Sequence, residues 1–307
     1  MSTGIYTKTA GDIMTDALRL ASISGIQLDP DVSDMEVART KLNDLLAWLQ
    51  TKQIHLWSET EAFLPLNPNQ KAYSFPGAHC FTDYISTATT ANYIATNSTF
   101  LVSSTTGMLV GDFIGIELDD GTRWWDEILT VNSSVSVSTV TGITGASSSG
   151  ATVYTYTTAI DQPVRILDGR YADQEARDEI QTTQLARKEY YAQNSKSSVG
   201  ALNSWYYDRQ LSLGKLNVWP VARNCKEVFR FTFIKPQYIP EDQSETILIP
   251  PEWFLPLTHK LAAELGVVYA IDPNKQVILE QKAENFIEDA LGTDNEFSSF
   301  SFYPGEY

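Results

Sequence analysis

Apolar residues recur at helical spacing near both ends of the chain and alternate with polar ones through its middle. Over residues 9–22, Ile13, Ala17, Leu20 and Ala21 fall on one face, which predicts a first helix that stops at Gly25. A second helix is expected to open on a capping box, Ser33 as N-cap with Glu36 three residues on. Its apolar stripe is Ala38, Leu42, Leu45, Leu46 and Leu49, with Trp48 beside it. The short connection between the two helices predicts an antiparallel pair. Residues 54–65 then read as a strand ending at Pro65. Asn67-Pro-Asn makes a turn, residues 71–75 return as a second strand, and Pro76-Gly77 closes it.

The middle of the chain changes character. Between Ser86 and Thr158, 27 of 73 residues are Ser or Thr, a composition that suits short, half-exposed strands better than helices. Five strands are read here: from Thr99, from Asp112, over residues 119–125, from Glu127, and from Ala151. Glycine turns separate them. The ordinary composition resumes near Pro163. A short helix is expected over residues 183–193, then a hairpin from Trp205 and Lys215 with Gly214 near its turn. Residues 227–234 alternate cleanly, and Phe229, Phe231 and Phe233 are assigned to the core face. Pro251 opens a helix that runs to about Ile271, with Leu257, Leu261, Leu265 and Val268 on one side. Asp272-Pro273 restarts the chain as N-cap plus N1 proline, and the last helix ends near Gly292.

These elements predict an α+β fold. The N- and C-terminal helices form a bundle carrying β-hairpins, and a small all-β domain, barrel-like or sandwich-like, is inserted into it. The expected division is a discontinuous α+β core, residues 1–80 and 159–292, an inserted β-domain, residues 81–158, and an extended aromatic tail, residues 293–307. Insertions of this kind are tolerated at exposed loop tips. The tail has no helical period but holds Phe297, Phe300, Phe302, Tyr303 and Tyr307. Five aromatic side chains in an acidic segment call for a surface to pack against.

Charge narrows the function classes. The net charge is −16. Residues 81–158 carry one basic residue, Arg123, against seven acidic ones, and residues 251–307 carry three against ten. A protein that grips DNA by its phosphates needs a basic face, and none is evident, so stable nucleic-acid binding is not expected. No apolar run reaches the roughly 18 residues that cross a bilayer, and the first residues show no apolar leader, so folding in a cytosol without membrane insertion is expected. Cys80 and Cys225 lie far apart and are read as buried free thiols.

Signals for chemistry are weak. His55, His79 and His259 lack metal-ligand spacing, and the neighbours His79-Cys80 would point to opposite faces of a strand. No nucleophile elbow, phosphate-binding loop or dinucleotide fingerprint is present. Asp119-Asp-Gly reads as a hairpin turn. The carboxylates Asp178-Glu179 and Glu59/Glu61 are hydrolase candidates by residue type alone. Trp124-Trp125 offers a surface that stacks a sugar or a base; the alternative is one Trp in a small core and one outside. Neither a cofactor nor a metal nor catalysis is expected.

Several phrases together resemble a virion family. These are Ala38-Arg-Thr-Lys-Leu-Asn-Asp-Leu-Leu-Ala-Trp-Leu-Gln, Leu56-Trp-Ser-Glu-Thr-Glu-Ala-Phe-Leu-Pro-Leu, Arg187-Lys-Glu-Tyr-Tyr, Trp205-Tyr-Tyr-Asp, Leu216-Asn-Val-Trp-Pro-Val, Phe229-Arg-Phe-Thr-Phe-Ile-Lys-Pro and Pro251-Glu-Trp-Phe. They are similar to head-to-tail adaptor proteins of short-tailed bacteriophages, also described as head-completion or packaged-DNA-stabilisation proteins. Val110-Gly-Asp, Leu118-Asp-Asp-Gly-Thr and Val153-Tyr-Thr-Tyr-Thr-Thr look like a β-module that recurs in phage tail proteins.

The resemblance implies a structural virion protein assembled in the cytoplasm of a bacterial host. Twelve copies would form a ring joining the portal to downstream hub, nozzle, fibre or spike proteins. DNA would pass through the lumen without adhering. The aromatic tail (Phe297, Phe300, Phe302, Tyr303, Tyr307) would contact the portal, and Trp124 and Trp125 would belong to the surface of the insert. The alternatives are a tail hub or nozzle component, a tail-carried peptidoglycan hydrolase, and a carbohydrate- or receptor-binding module.

Overall fold

The computed structural model describes residues 6–25, 28–50, 58–173 and 178–293. The chain divides into two compact units, residues 1–58 with 237–307, and residues 59–236.

The first unit is helical. Helix α1 (Ala10–Leu20) is opened by Thr9, whose hydroxyl accepts from the Asp12 N–H at 3.1 Å while the Asp12 carboxylate accepts from the Thr9 N–H at 3.0 Å. This reciprocal pair satisfies two of the donors that a helix start leaves open. Helix α2 (Val32–Leu49) starts earlier than the Ser33 capping box implies. Asp31 is the cap, accepting from the Val32 N–H at 2.7 Å, and its second oxygen takes the Ser33 hydroxyl at 3.1 Å. A single 3-10 turn (Pro251–Trp253) leads into α4 (Phe254–Val268), and α5 (Pro273–Thr293) follows. The remaining helix, α3 (Arg187–Ala192), lies in the second unit. The four helices of the first unit share one core, which includes Ile13, Met14, Leu18, Leu42, Leu46, Phe254, Leu261 and Leu265. Residues 243–247 run beside the start of α1, where Glu245 and Gln243 carbonyls accept from the Ala10 and Gly11 N–H groups.

The second unit is almost entirely sheet. Its strands are β1 (Glu59–Pro65), β2 (Ala72–Phe75), β3 (Ile85–Ala88), β4 (Thr99–Leu101), β5 (Phe113–Glu117), β6 (Arg123–Ser133), β7 (Ser136–Thr139), β8 (Thr152–Tyr156), β9 (Arg165–Asp173), β10 (Asp178–Gln181), β11 (Thr183–Gln184), β12 (Ser204–Asp208), β13 (Gly214–Trp219) and β14 (Glu227–Ile234). They form three sheets, in the orders β1-β14-β9-β10, β11-β12-β13-β2 and β3-β8-β5-β6-β7-β4. All pairings are antiparallel except β11 with β12.

The expected fold organised on a helical bundle is therefore wrong. The described residues hold fourteen strands in three sheets against five α-helices, so the chain is sheet-rich. The helices announced themselves by long amphipathic periods. Strands β3, β7, β10 and β11 are two to four residues long and carry few apolar residues, so period two is faint in them. The expected helix over residues 183–193 shrinks to α3, because Thr183 donates to the Asn203 carbonyl at 2.8 Å and starts a parallel pairing instead.

The two four-stranded sheets share a core. Phe229, Phe231 and Phe233 of β14 are all buried in it, as their alternation implies, with Trp205 of β12, Phe75 of β2 and Leu216 of β13. Gly169 lies under the Phe229 ring, where an added Cβ would stand 2.4 Å from it. The six-stranded sheet has its own core of Phe100, Ile114, Ile116, Trp124, Ile128, Val137 and Val153.

Candidate functional site

Strand β6 decides what Trp124 and Trp125 can do. The break expected between residues 125 and 127 is absent; β6 runs unbroken for eleven residues and pairs with both β5 and β7. Neighbouring strand residues point to opposite faces. Trp124 therefore enters the core of the six-stranded sheet and is buried, 5.8 Å from Phe100. Trp125 turns the other way, into a second aromatic group formed by Phe63, Phe81, Tyr154 and Tyr156.

There Trp125 is half-buried. Its indole covers Gly115, the cross-strand partner on β5, where a Cβ would lie 2.5 Å from the ring. It also stacks on the His79 imidazole at 4.2 Å with planes 6° apart. Phe81 and Tyr156 meet it edge-on at 6.2 and 5.7 Å. His79 Nδ1 is 2.7 Å from the Tyr156 hydroxyl. Burial holds the His79 pKa down at about 4, since a charged ring in this aromatic packing loses its hydration. His79 is thus a neutral packing partner of Trp125.

Arg123, the single basic residue of the 81–158 segment, is also turned inward. Its Nη2 donates to the Cys225 carbonyl at 3.1 Å, and Nη1 faces the Thr152 and Gly115 carbonyls at 3.3 and 3.5 Å. The guanidinium lies 4.5 Å over the Tyr154 ring. Burial lowers its pKa below the usual guanidinium range. One cation thereby ties β5, β8 and the 221–226 loop together. Cys225 and Cys80 are free and buried, and burial raises both thiols, so neither has the thiolate character of a nucleophile.

Two of the carboxylates singled out by type, Glu61 and Glu179, are joined through arginines of the first sheet. Arg170 of β9 bridges Glu61 at 3.0 Å and Glu179 at 3.6 Å, and Arg230 of β14 bridges Glu179 at 3.1 Å. Beside them is a cleft of about 550 Å³, lined among others by Tyr84, Tyr154, Asp178, Glu179 and Arg230. A glycosidase needs one carboxyl group in apolar surroundings as its acid; here the paired carboxylates are partly exposed among guanidinium groups. Among the described residues no cluster of three or more His, Cys, Asp or Glu could hold a metal ion. No described helix is long and apolar enough to cross a membrane. His259 is buried in α4, its Nδ1 3.1 Å from the Leu255 carbonyl and its ring 4.9 Å from Phe286.

The aromatic residues assigned to portal contact, Phe297, Phe300, Phe302, Tyr303 and Tyr307, lie outside the described residues, as does His55. The helical unit displays a feature the sequence reading passed over. Val267 and Val268 at the end of α4, and Val277 and Ile278 in the first turns of α5, are each half or more exposed. The Tyr269–Asp272 turn joins these two stretches, so exposed apolar side chains stand on both sides of it. Val268, expected on the buried stripe with Leu257, Leu261 and Leu265, is half exposed instead, because the helix ends there.

No protein-family model matches the chain, and no curated protein matches it.

Proposed function

We propose that the chain is a ring-forming head-to-tail adaptor of a phage neck, a structural component that joins the portal to the tail and helps to retain or conduct packaged DNA. The observation that carries this reading is the set of exposed apolar side chains on both sides of the turn between α4 and α5. Four aliphatic side chains left half or more in water on the two sides of one turn have the character of a surface that meets another protein. Ring closure uses a heterologous contact, one face of each subunit against a different face of the next, and such a surface can serve as one of its halves. The sequence phrases similar to adaptor proteins fall on α2, β1, α3, β12, β13, β14, the 3-10 turn and the start of α4. They therefore span both units. The acidic balance of the chain, −16 overall, is consistent with a lumen from which phosphates slide away. In this reading the aromatic segment 294–307 meets the portal.

Native mass measurement of the purified chain, alone and with portal-bearing heads, tests the proposal. The expected result is a single copy in isolation and a closed ring of about twelve on the portal. Val267→Asp with Ile278→Asp should leave the fold intact and abolish the ring. A chain that stays off the heads, or one that cleaves cell-wall glycan after rigorous purification, would sink it.

A further inference from the structure

The helical unit carries a groove of about 630 Å³ between α1 and α4. Tyr6, Leu20, Phe254 and Leu255 make its apolar walls, with Tyr6 60% and Leu255 49% exposed. Tyr6 already meets Phe254 edge-on at 5.7 Å, so the groove presents ring faces and edges. Its polar rim is Lys8, Asp16, Arg19 and His259. Lys8 pairs with Asp16. Arg19 has no acidic partner among the described residues, and its Nε is buried without a hydrogen-bond partner. In a chain of net charge −16, this apolar groove has a spare cation.

The end of α5 leads to it. Phe286 touches His259 on the groove wall. Ile287 lines the same small depression as Trp253, Pro256 and Leu257. The last turn of α5 therefore arrives beside the 3-10 turn, whose Pro251 belongs to the groove. Fourteen residues follow Thr293, and they hold five aromatic side chains with Asp294, Glu296 and Glu306. Extended, they reach roughly 46–50 Å. Helix α1, which sets the groove's length, is only about 16 Å long at 1.5 Å per residue.

We propose that this groove is the seat of the chain's own segment 294–307 in the free protein. Its aromatic rings fill the apolar floor, and a carboxylate answers Arg19. A tether this short places the segment at an effective concentration of order millimolar, so a weak contact suffices to close it. The segment then leaves the groove when a stronger partner takes it. The inference goes beyond the adaptor reading and stands independently of it, because it concerns the soluble chain with no portal present.

Photo-crosslinking of the full chain decides the matter. Phe300, and in a second preparation Phe297, is replaced by benzoylphenylalanine, and the dilute protein is irradiated and mapped by mass spectrometry. Adducts within one chain on residues 6–20 and 251–259 are expected. Arg19→Glu with Leu255→Asp should lower their yield by about tenfold, the factor carried by one good contact, with circular dichroism unchanged. Adducts on other surfaces, adducts only between two chains, or an undiminished yield from that variant would overturn the proposal. Portal binding is measured separately, so loss of one result leaves the other standing.

Discussion

Replacing Trp125 with alanine removes a half-buried indole that covers Gly115 and stacks on His79. Deleting a fully buried Trp or Phe costs about 3–5 kcal/mol, and half-burial brings that to roughly 2 kcal/mol. The ring contacts to His79, Phe81 and Tyr156 add a further fraction, at about 0.5 kcal/mol or more per aromatic pair. A loss of about 3 kcal/mol is expected, read as the urea midpoint by far-ultraviolet circular dichroism at neutral pH. The same change uncovers His79. In the native protein its pKa is near 4, against an ordinary value of about 6.5. Its folded-state pKa is depressed, so its contribution is complete above about pH 6.5 and falls away as pH drops toward 4. Because the ring is partly exposed, screening reduces the effect to about 1–2 kcal/mol. In Trp125→Ala the His79 pKa should rise toward the ordinary value, which NMR titration of the imidazole reads directly, and this part of the acid sensitivity should shrink. A loss under about 1 kcal/mol together with an unmoved His79 titration would refute the packing role assigned to the pair.

Gly115→Ala drives a Cβ to 2.5 Å from the Trp125 ring and should cost about 1–3 kcal/mol as overpacking. In the Trp125→Ala background it should cost almost nothing, a non-additivity that a double-mutant cycle measures. Arg123→Ala should cost about 3 kcal/mol in the same urea assay, from a charge-assisted hydrogen bond and a cation–π contact. Arg123→Met keeps the volume and removes a buried charge, so it should be milder. Thr9→Ala should destabilise by about 1 kcal/mol through loss of the cap. The Thr9 N–H and hydroxyl hold the Asp12 carboxyl below its usual pKa, so the part of the cost that comes from the lost hydroxyl–carboxylate bond is full above the ordinary carboxylate range and fades as pH falls through the depressed value, while the part from the lost cap on the Asp12 N–H persists.

The sequence was most legible where periodicity was strong. The Phe229, Phe231 and Phe233 alternation identified a core face, and the Asp272-Pro273 start of α5 needed only local chemistry. Helix α2 was misread at its cap because two acceptors compete there: Asp31 reaches the Val32 N–H directly, and Ser33 spends its hydroxyl on Asp31. Strand β6 was cut at Asp126 because a carboxylate interrupts the apolar pattern. In the fold that carboxylate accepts from the Thr141 N–H and hydroxyl at 2.6 and 3.0 Å, which lets the strand continue. The sheet-rich balance was missed because Ser and Thr strands are specified by their neighbours more than by themselves. Arg123 shows the limit most clearly. Its acceptors are backbone carbonyls, one of them 102 residues away, and no side-chain pattern encodes a carbonyl.

Because Arg123 is spent inside, the 81–158 segment has no cation facing solvent, while Asp83, Asp119, Asp120 and Glu127 are exposed. Neighbouring copies held side by side would push on one another through this region. The range of that push is about 30 Å in 10 mM salt and about 8 Å at physiological strength. Dilution of the buffer alone should therefore loosen any crowded arrangement of these molecules, and magnesium or spermidine should tighten it again.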